Sequence, residues 1–336
     1  MNTMHDGAVQ IIKNCLKIKE NEKICIITDK DTSKIAESII KAAKPITQKI
    51  TLFVMEDFGN RDETGKEPLK FPEEIKKTLE KSDVGIYAAG AREGEIDTFR
   101  HPLQKVIEKN RIRYAHMIGI TEEIMKTGMC TDYEIVKEVT KKVHNEIKDS
   151  QEIHVTTPKG TDLRAEFDRN IRWAVLDGRI TEDTWMNLPE GEIFTCPKNI
   201  EGIAIIDGVL GDYFDKKYGL IKETPVTLKI SQGYVTDIFC SNKDLEAELK
   251  RYTKTDKNSD RIGEFAIGTN TGIKKIIGNL LQDEKYPGVH IAMGNSFPEI
   301  TGSGWGCPTH IDGVMLNCTI TINGKKTIMR DGKFLI

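Results

Sequence analysis

The sequence predicts an α/β N-terminal domain with a mainly parallel sheet, followed by a β-rich, barrel-like α+β C-terminal domain. Roughly the first 150 residues alternate short β-branched runs with segments of helical spacing. Beyond them, short strands divided by glycine-rich turns predominate. The 336 residues also suffice for two hydrophobic cores, because single cores stop growing at roughly 250–300 residues. We therefore expect domains at residues 1–150 and 151–336.

The elements of the first domain follow one another in strand–helix order. The predicted strands are Lys23–Thr28, Ile50–Met55, Val84–Ala88 and Tyr114–Ile118, and the predicted helices are Thr32–Ala43, Pro72–Lys81 and Asp132–Lys148. Apolar strands that alternate with helices are typical of a parallel sheet covered on both faces.

The sequence pattern of the second domain differs from that of the first, because short strands replace the alternation of strands and helices. Its predicted strands lie near residues 153–157, 162–167, 191–195, 202–209, 226–230 and 314–322. Two segments have helical spacing, Asp244–Thr253 and Thr271–Leu281. Many short strands with frequent turn signals favour a barrel or sandwich.

Composition excludes several classes of function. The 49 basic and 52 acidic residues give a formal net charge of −3, so no global attraction to nucleic acid or anionic lipid is expected. No apolar run approaches the ~18 residues of a membrane span, and the N-terminus lacks a signal-peptide pattern. The seven cysteines form an odd set without Cys-x-x-Cys spacing, which favours a reduced, cytoplasmic protein.

The strongest chemical signal is the segment Thr309–Gly313, which opens an apolar strand. On a strand, side chains two residues apart share a face, so His310 and Asp312 project together. An imidazole nitrogen and a carboxylate oxygen at that spacing can converge on one cation. The alternative is a surface His-x-Asp pair, which arises often by chance.

Three more polar residues stand in apolar strand contexts of the same domain. His290 begins a short apolar strand, and Glu192 and Glu264 each follow a glycine and enter another. A charge that enters a core is costly unless it is paired or coordinated. The alternatives are a hydrogen-bonded core histidine and two edge-strand glutamates. Taken jointly, the mixed nitrogen and oxygen donors suit Zn²⁺, Mn²⁺, Co²⁺ or Fe²⁺.

Other motifs give weaker signals. The glycine-rich segment Gly302–Gly306, with Trp305 in it, could cover a site or be an ordinary loop. Cys307 has no dedicated histidine in the local sequence to activate its thiol, so a nucleophilic role is not expected. The glycines of Ala88–Gly94 have neither P-loop nor dinucleotide-binding spacing.

The segments around these residues resemble the aminopeptidase T and aminopeptidase S metallopeptidases. The run Asn187–Pro197 resembles their Asn-Met-Pro-Thr-Glu-Glu-Val-Phe-Thr-x-Pro stretch, and Ile262–Ala266 is similar to their Leu-Gly-Glu-Val-Ala. Asp283-Glu284 followed by His290–Gly294 looks like their Asp-Glu-Asn…His-Leu-Ala-Leu-Gly, and His310-Ile311-Asp312 matches their final His-x-Asp. The order of these segments agrees across most of residues 151–320.

The resemblance implies a metal-dependent aminopeptidase that acts on small peptides. It places a pair of divalent ions, Zn, Co or Mn, on Glu192, Glu264, His290, His310 and Asp312, and it implies a homodimer. Glu192 and Glu264 would be ligands, and either could relay a proton if it is not fully coordinated. Phe297 stands where the family has a tyrosine, so one hydroxyl that could stabilise charge during amide hydrolysis is missing.

A second function stays open for the same residues. A distant relative of these peptidases, 2,5-dihydroxypyridine dioxygenase, has a related His…His-x-Asp set, and His290, His310 and Asp312 would hold one Fe(II) in that way. Two ions per chain would favour hydrolysis, and one redox-active iron would favour ring-opening oxygenation. A binding protein without turnover is the third and least favoured class.

Overall fold

The computed structural model describes residues 2–61 and 64–336 and divides the chain into two compact units. One unit comprises Met1–Ile135 and Gly178–Glu190, and the other comprises Val136–Asp177 and Gly191–Ile336. A parallel sheet with helices and a set of antiparallel sheets confirm the predicted fold class. The predicted domain boundary at residue 150 stays a prediction. Within the described ranges, no helix has the length and apolar character needed to cross a membrane.

The first unit contains a five-stranded parallel sheet. With strands numbered in chain order, its members are β1 (Ile24–Thr28), β2 (Ile50–Val54), β3 (Val84–Ala89), β4 (Arg113–Ile118) and β8 (Met186–Asn187), in the order β2-β1-β3-β4-β8. Strands β1 and β3 are buried along their whole length because neighbours cover both edges and helices cover the faces. Strand β2 lies at the edge of the sheet and exposes Thr51 and Leu52.

Helices surround this sheet. They are α1 (Met4–Val9), continued by a π-helical turn at Gln10–Cys15, α2 (Ser33–Ala43), α3 (Glu73–Leu79), α4 (His101–Asn110), preceded by a π-helical turn at Ile96–Arg100, and α5 (Glu122–Lys126). Helix α6 (Tyr133–Ile147) begins in the first unit and continues in the second. Short 3₁₀ turns follow β2 and α5, at Met55–Asp57 and Gly128–Cys130.

The second unit contains two antiparallel sheets. The strands of the larger sheet are β5 (Glu152–Thr156), β6 (Asp162–Glu166), β10 (Asn199–Ile206), β11 (Val226–Ser231), β12 (Tyr234–Cys240), β16 (Thr319–Ile322), β17 (Lys326–Arg330) and β18 (Lys333–Phe334). Their order in the sheet is β12-β11-β10-β6-β5-β16-β17-β18. The helices of this unit are α7 (Asp212–Tyr218), α8 (Lys243–Tyr252), α9 (Leu280–Asp283) and α10 (Pro298–Thr301).

The smaller sheet is the one that carries the predicted ligands. Its order is β15-β14-β13-β9-β7, with β7 (Ala174–Leu176), β9 (Glu192–Thr195), β13 (Ile262–Gly268), β14 (Gly288–Gly294) and β15 (His310–Met315). Alternate residues of β13, β14 and β15 enter the hydrophobic core: Phe265, Ile267, Ile291, Met293 and Ile311. The pleat therefore directs the residues between them to the opposite face.

Two predicted elements of the second unit are wrong. Residues 271–279 form turns rather than a helix, because the Asp283 carboxylate accepts the backbone N–H groups of Ile277, Gly278 and Asn279. The single strand predicted at 314–322 is two strands in different sheets. Asn317, at φ 54°, lies in the break between them.

Candidate metal centre

The register of three adjacent strands brings the predicted ligands together. Ala292 of β14 pairs with Glu264 of β13 on one side and with Asp312 of β15 on the other. His290 lies two residues before Ala292 on the same face, and His310 lies two residues before Asp312. Glu192, the first residue of β9, pairs with Gly268 at the end of β13. All five predicted residues therefore project from one face of the smaller sheet.

Small residues on that face leave room for the long polar side chains. Ala266, Gly268, Ala292 and Gly294 alternate with the core residues of β13 and β14. A Cβ atom at Gly268 would lie 2.1 Å from the Tyr286 carbonyl oxygen. At Gly294, which has φ +103°, a Cβ atom would lie 2.1 Å from the Thr309 carbonyl oxygen. The close approach of backbone segments around the site thus requires glycine at both positions.

The five predicted side chains are linked to one another by short contacts between histidine nitrogens and carboxylate oxygens. The Nε2 atom of His290 lies 3.5 Å from Oε2 of Glu192 and 3.4 Å from Oε1 of Glu264. The Nε2 atom of His310 lies 3.7 Å from Oε2 of Glu264 and 3.3 Å from Oδ1 of Asp312. Four of these five residues are buried, whereas the His310 side chain is 25% exposed. His310 therefore lies at the side of the cluster that is open to solvent.

Two further residues belong to this cluster and were not assigned from the sequence. Glu284 and Lys285 lie just after α9, and Nζ of Lys285 is 2.8 Å from Oε1 of Glu284 and 2.7 Å from Oε1 of Glu192. Glu284 lies in the Asp283-Glu284 segment that carries part of the resemblance, so a signal for it was present. Nothing in the sequence indicated that Lys285 belongs to the site, because a lysine before a Pro-Gly turn usually lies at the surface.

The electrostatics of the cluster favour the binding of a cation. Burial lowers the pKa of His290, but the Glu264 and Glu192 carboxylates outweigh burial and raise it to about 9. Burial also lowers the pKa of His310, and Asp312 and Glu264 raise it to about 10. Both imidazoles are therefore protonated at neutral pH, and the carboxylates around them outnumber them. A metal ion would take the place of those protons, since it binds the neutral imidazole.

The donor set fits a divalent metal. Within the described residues, two groups of donor atoms lie within 4.8 Å of one another: Glu264, His310 and Asp312, and Glu284, His290 and Asp312. Nε2 of His290 and Oε2 of Glu192 are buried and have no hydrogen-bond partner. Buried polar atoms are costly in that state, and a shared cation would satisfy both. His310 Nδ1 lies 3.2 Å from the Asn295 carbonyl oxygen, which orients Nε2 toward the cluster.

The loop after β14 borders the site. Phe297 adopts a left-handed backbone conformation with φ 47° and lies against His310, with 4.8 Å between ring centroids. The Ser296 hydroxyl bonds the Trp305 carbonyl, and the Trp305 ring lies 4.0 Å from the Arg261 guanidinium, so the glycine-rich segment is held in place. Cys307 contacts the Thr309 hydroxyl at 3.1 Å. These contacts of Trp305 and Cys307 are with Ser296, Arg261 and Thr309 rather than with the five predicted ligands.

A comparison with known protein families gives the class of this protein. Residues 108–306, which are 199 of the 336 residues, match the thermophilic metalloprotease (M29) family. The chain therefore belongs to the thermophilic metalloprotease (M29) family, which confirms the resemblance found in the sequence. The family indicates a hydrolase that uses divalent metal.

Two solved structures share the fold. The 2,5-dihydroxypyridine dioxygenase from Pseudomonas putida KT2440 is 17% identical, with a TM-score of 0.70 over 99% of this chain and 96% of that chain. Wild-type AmpT from Thermus thermophilus is 15% identical, with a TM-score of 0.70 over 99% of both chains. A search of curated proteins finds no match. At such low identity these likenesses concern the fold alone.

Proposed function

We propose that this protein is an aminopeptidase that removes N-terminal residues from peptides with the help of divalent metal. Membership of the metalloprotease family supports the hydrolase class. The observation that carries the proposal is the buried cluster on one sheet face, where His290, His310 and Asp312 meet Glu192 and Glu264. Nitrogen and oxygen donors in this mixture suit Zn²⁺, Co²⁺ or Mn²⁺.

The residues of the site have separate tasks in this proposal. Bound metal would supply Lewis acidity toward the scissile carbonyl and lower the pKa of a water molecule at the site. Glu192 and Glu264 are the candidates to accept the proton of the attacking water and pass it to the leaving amine. Oε2 of Glu192, which has no hydrogen-bond partner, would fit that task when it does not bind metal. The exposed side of His310 gives the substrate access to the cluster.

The proposal is tested with the purified protein and an aminoacyl-p-nitroanilide in the presence of Zn²⁺, Co²⁺ or Mn²⁺. We expect slow, metal-dependent release of p-nitroaniline that chelation abolishes. His310→Ala and Asp312→Ala should lower bound metal, measured by elemental analysis, and reduce kcat/KM by at least about 100-fold, because a lost ligand disrupts geometry and charge balance.

The matched control is His154→Ala. His154 belongs to the same unit and pairs with Asp162 at 2.7 Å, but it lies on β5 of the larger sheet. This variant should retain the metal and the activity of the wild type. Full metal content in both His310→Ala and Asp312→Ala would refute the assignment of the ligands.

A second candidate function is ring opening by a mononuclear Fe(II) dioxygenase. The observation that favours it is the His290, His310 and Asp312 set on one sheet face, beside Phe297 in place of a tyrosine. This alternative requires oxygen uptake with Fe²⁺ and a dihydroxylated aromatic ring, and no release of p-nitroaniline with any metal. Measurement of both activities on the same preparation separates the two functions.

The proposal also covers the cellular environment, the oligomeric state and the substrates of the enzyme. The odd set of seven cysteines, without Cys-x-x-Cys spacing, supports a reduced cytoplasmic environment in this proposal. The proposal also includes a homodimer, as the resemblance implies. Peptides or other small molecules are its expected substrates, without nucleic-acid or membrane partners.

A further inference from the structure

Lys285 is a buried cation in the middle of the candidate metal centre. Its side chain is 1% exposed, and its ammonium lies between Oε1 of Glu192 at 2.7 Å and Oε1 of Glu284 at 2.8 Å. Lysine is almost never fully buried unless it is paired, and here both of its carboxylate partners belong to the donor cluster. The ammonium therefore occupies the space between the Glu192 and Glu284 carboxylates.

The two groups of donor atoms differ in their relation to this lysine. In the group of Glu264, His310 and Asp312, Nε2 of His310 lies 3.7 Å from Oε2 of Glu264 and 3.3 Å from Oδ1 of Asp312. The other group contains Glu284, which is bound to Lys285, and it shares Asp312 with the first group. A second ion would have to displace the ammonium from Glu284 and also share Asp312 with the first ion.

Charge acts in the same direction. The Lys285 ammonium already offsets part of the negative charge of Glu192 and Glu284, so these two carboxylates attract a second divalent ion less strongly than they would without the lysine.

We propose that Lys285 takes the place of the second metal ion, so that each chain binds one divalent ion through Glu264, His310 and Asp312. His290, whose Nε2 atom is 3.4 Å from Oε1 of Glu264, is close enough to be a fourth ligand. This inference rests on the proposed metal-dependent function and replaces the pair of ions that the resemblance implies. One ion is compatible with peptide hydrolysis, because catalytic zinc sites commonly use three protein ligands and one open position.

The test counts Zn²⁺ on the full-length protein. The metal-free protein is dialysed against micromolar Zn²⁺ and analysed by inductively coupled plasma mass spectrometry. We expect one Zn²⁺ per chain for the wild type and two for Lys285→Met, which keeps the side-chain length and removes the charge. The matched control is Lys250→Met, since Lys250 pairs with Glu246 at 2.6 Å on the exposed helix α8, and one Zn²⁺ per chain is expected for it. Two Zn²⁺ on the wild type, or one on a folded Lys285→Met, would overturn the inference.

A second measurement needs no variant and decides the matter if Lys285→Met does not fold. Anomalous scattering from wild-type crystals grown with Zn²⁺ should show one peak among Glu264, His310 and Asp312. A peak bound by Glu284 and His290 would contradict the inference. Failure of the proposed function is a distinct result: one ion per chain without release of p-nitroaniline refutes the aminopeptidase, and release with two ions refutes only the role of Lys285.

Discussion

Single residues between the ligands determine whether the donor atoms can meet. Ala292 stands between Glu264 and Asp312 in the row across β13, β14 and β15, and its side chain is fully buried. A methyl group is small enough for the carboxylates on either side to reach toward one another. The apolar residues of β14 that face the core, such as Ile291, have no such role.

This argument predicts the effect of Ala292→Leu. The larger side chain should enter the space between Glu264 and Asp312, so metal binding should weaken by at least about 10-fold in isothermal titration with Zn²⁺. Overpacking should also lower the free energy of unfolding by about 1–3 kcal/mol. The control is Ile291→Val on the opposite face, which should cost about 0.5–1.5 kcal/mol and leave the affinity unchanged. Unaltered Zn²⁺ affinity in Ala292→Leu would show that this row does not form the site.

Phe297 offers a second prediction at the scale of one residue. Its ring lies against His310, at the exposed side of the cluster, but it has no hydroxyl to donate to developing charge. Loss of one such donor typically costs about 10²–10³ in rate. If the chain hydrolyses peptides, Phe297→Tyr should raise kcat for aminoacyl-p-nitroanilides and leave the metal content unchanged. Phe194→Tyr, which alters the ring 5.7 Å from Phe297, serves as the comparison and should not raise kcat.

At the scale of elements, strand β4 carries a buried histidine that the proposed function does not use. His116 stacks on Tyr87 with 5.1 Å between ring centroids, and its Nδ1 atom lies 2.9 Å from the Tyr114 hydroxyl. Burial, with a smaller contribution from the Arg100 charge, lowers the pKa of His116 to about 3. The folded strand therefore keeps this imidazole neutral at pH values where the unfolded chain protonates it.

The consequence is a loss of stability in acid that originates in β4. Because the unfolded chain binds the proton near pH 6.5 and the folded chain only near pH 3, stability falls as the pH drops between these values. From pH 7 to pH 5 this one group should cost about 2 kcal/mol. Urea unfolding at both pH values measures the loss. His116→Gln should reduce the difference between pH 7 and pH 5 by about that amount, and an equal difference in both proteins would contradict the prediction.

Elements with a strong local pattern were predictable from the sequence, and those that depend on distant partners were not. The strands β1 and β3 and the helices α2 and α8 lie within one or two residues of their predicted bounds. The helix predicted at Thr271–Leu281 does not form, because the Asp283 side chain binds the backbone N–H groups of residues 277–279. Sequence periodicity does not reveal such a contact. The strand predicted at 314–322 failed for a similar reason, since the Asp207 carboxylate accepts the N–H of Leu316 at the break.

At the scale of the whole molecule, the candidate site was predictable in part. His310 and Asp312 share a face by strand geometry alone, and the glycine-then-glutamate pattern marked Glu192 and Glu264. The lateral order of β9, β13, β14 and β15 could not be read from spacing, yet it is this order that brings the five residues together. Lys285 was beyond prediction, because only the fold shows that its ammonium turns inward between Glu192 and Glu284.

The last prediction concerns the assembly of the whole molecule. The resemblance implies a homodimer formed through the β-rich unit, and cyclic dimers are the commonest oligomers of soluble proteins. On the outer face of the larger sheet, Ile203 and Phe239 are large apolar residues that remain 39% and 45% exposed in the single chain. Light scattering during size-exclusion chromatography should give twice the chain mass of 37.9 kDa at micromolar concentration.

Ile203→Glu and Phe239→Glu place charge on this face and should shift the mass toward one chain if the face is the interface. The control Leu52→Glu, in the first unit, should not shift the mass. A wild-type mass near 38 kDa across micromolar concentrations would refute the dimer, and a dimer that persists in both sheet variants would place the interface elsewhere on the β-rich unit.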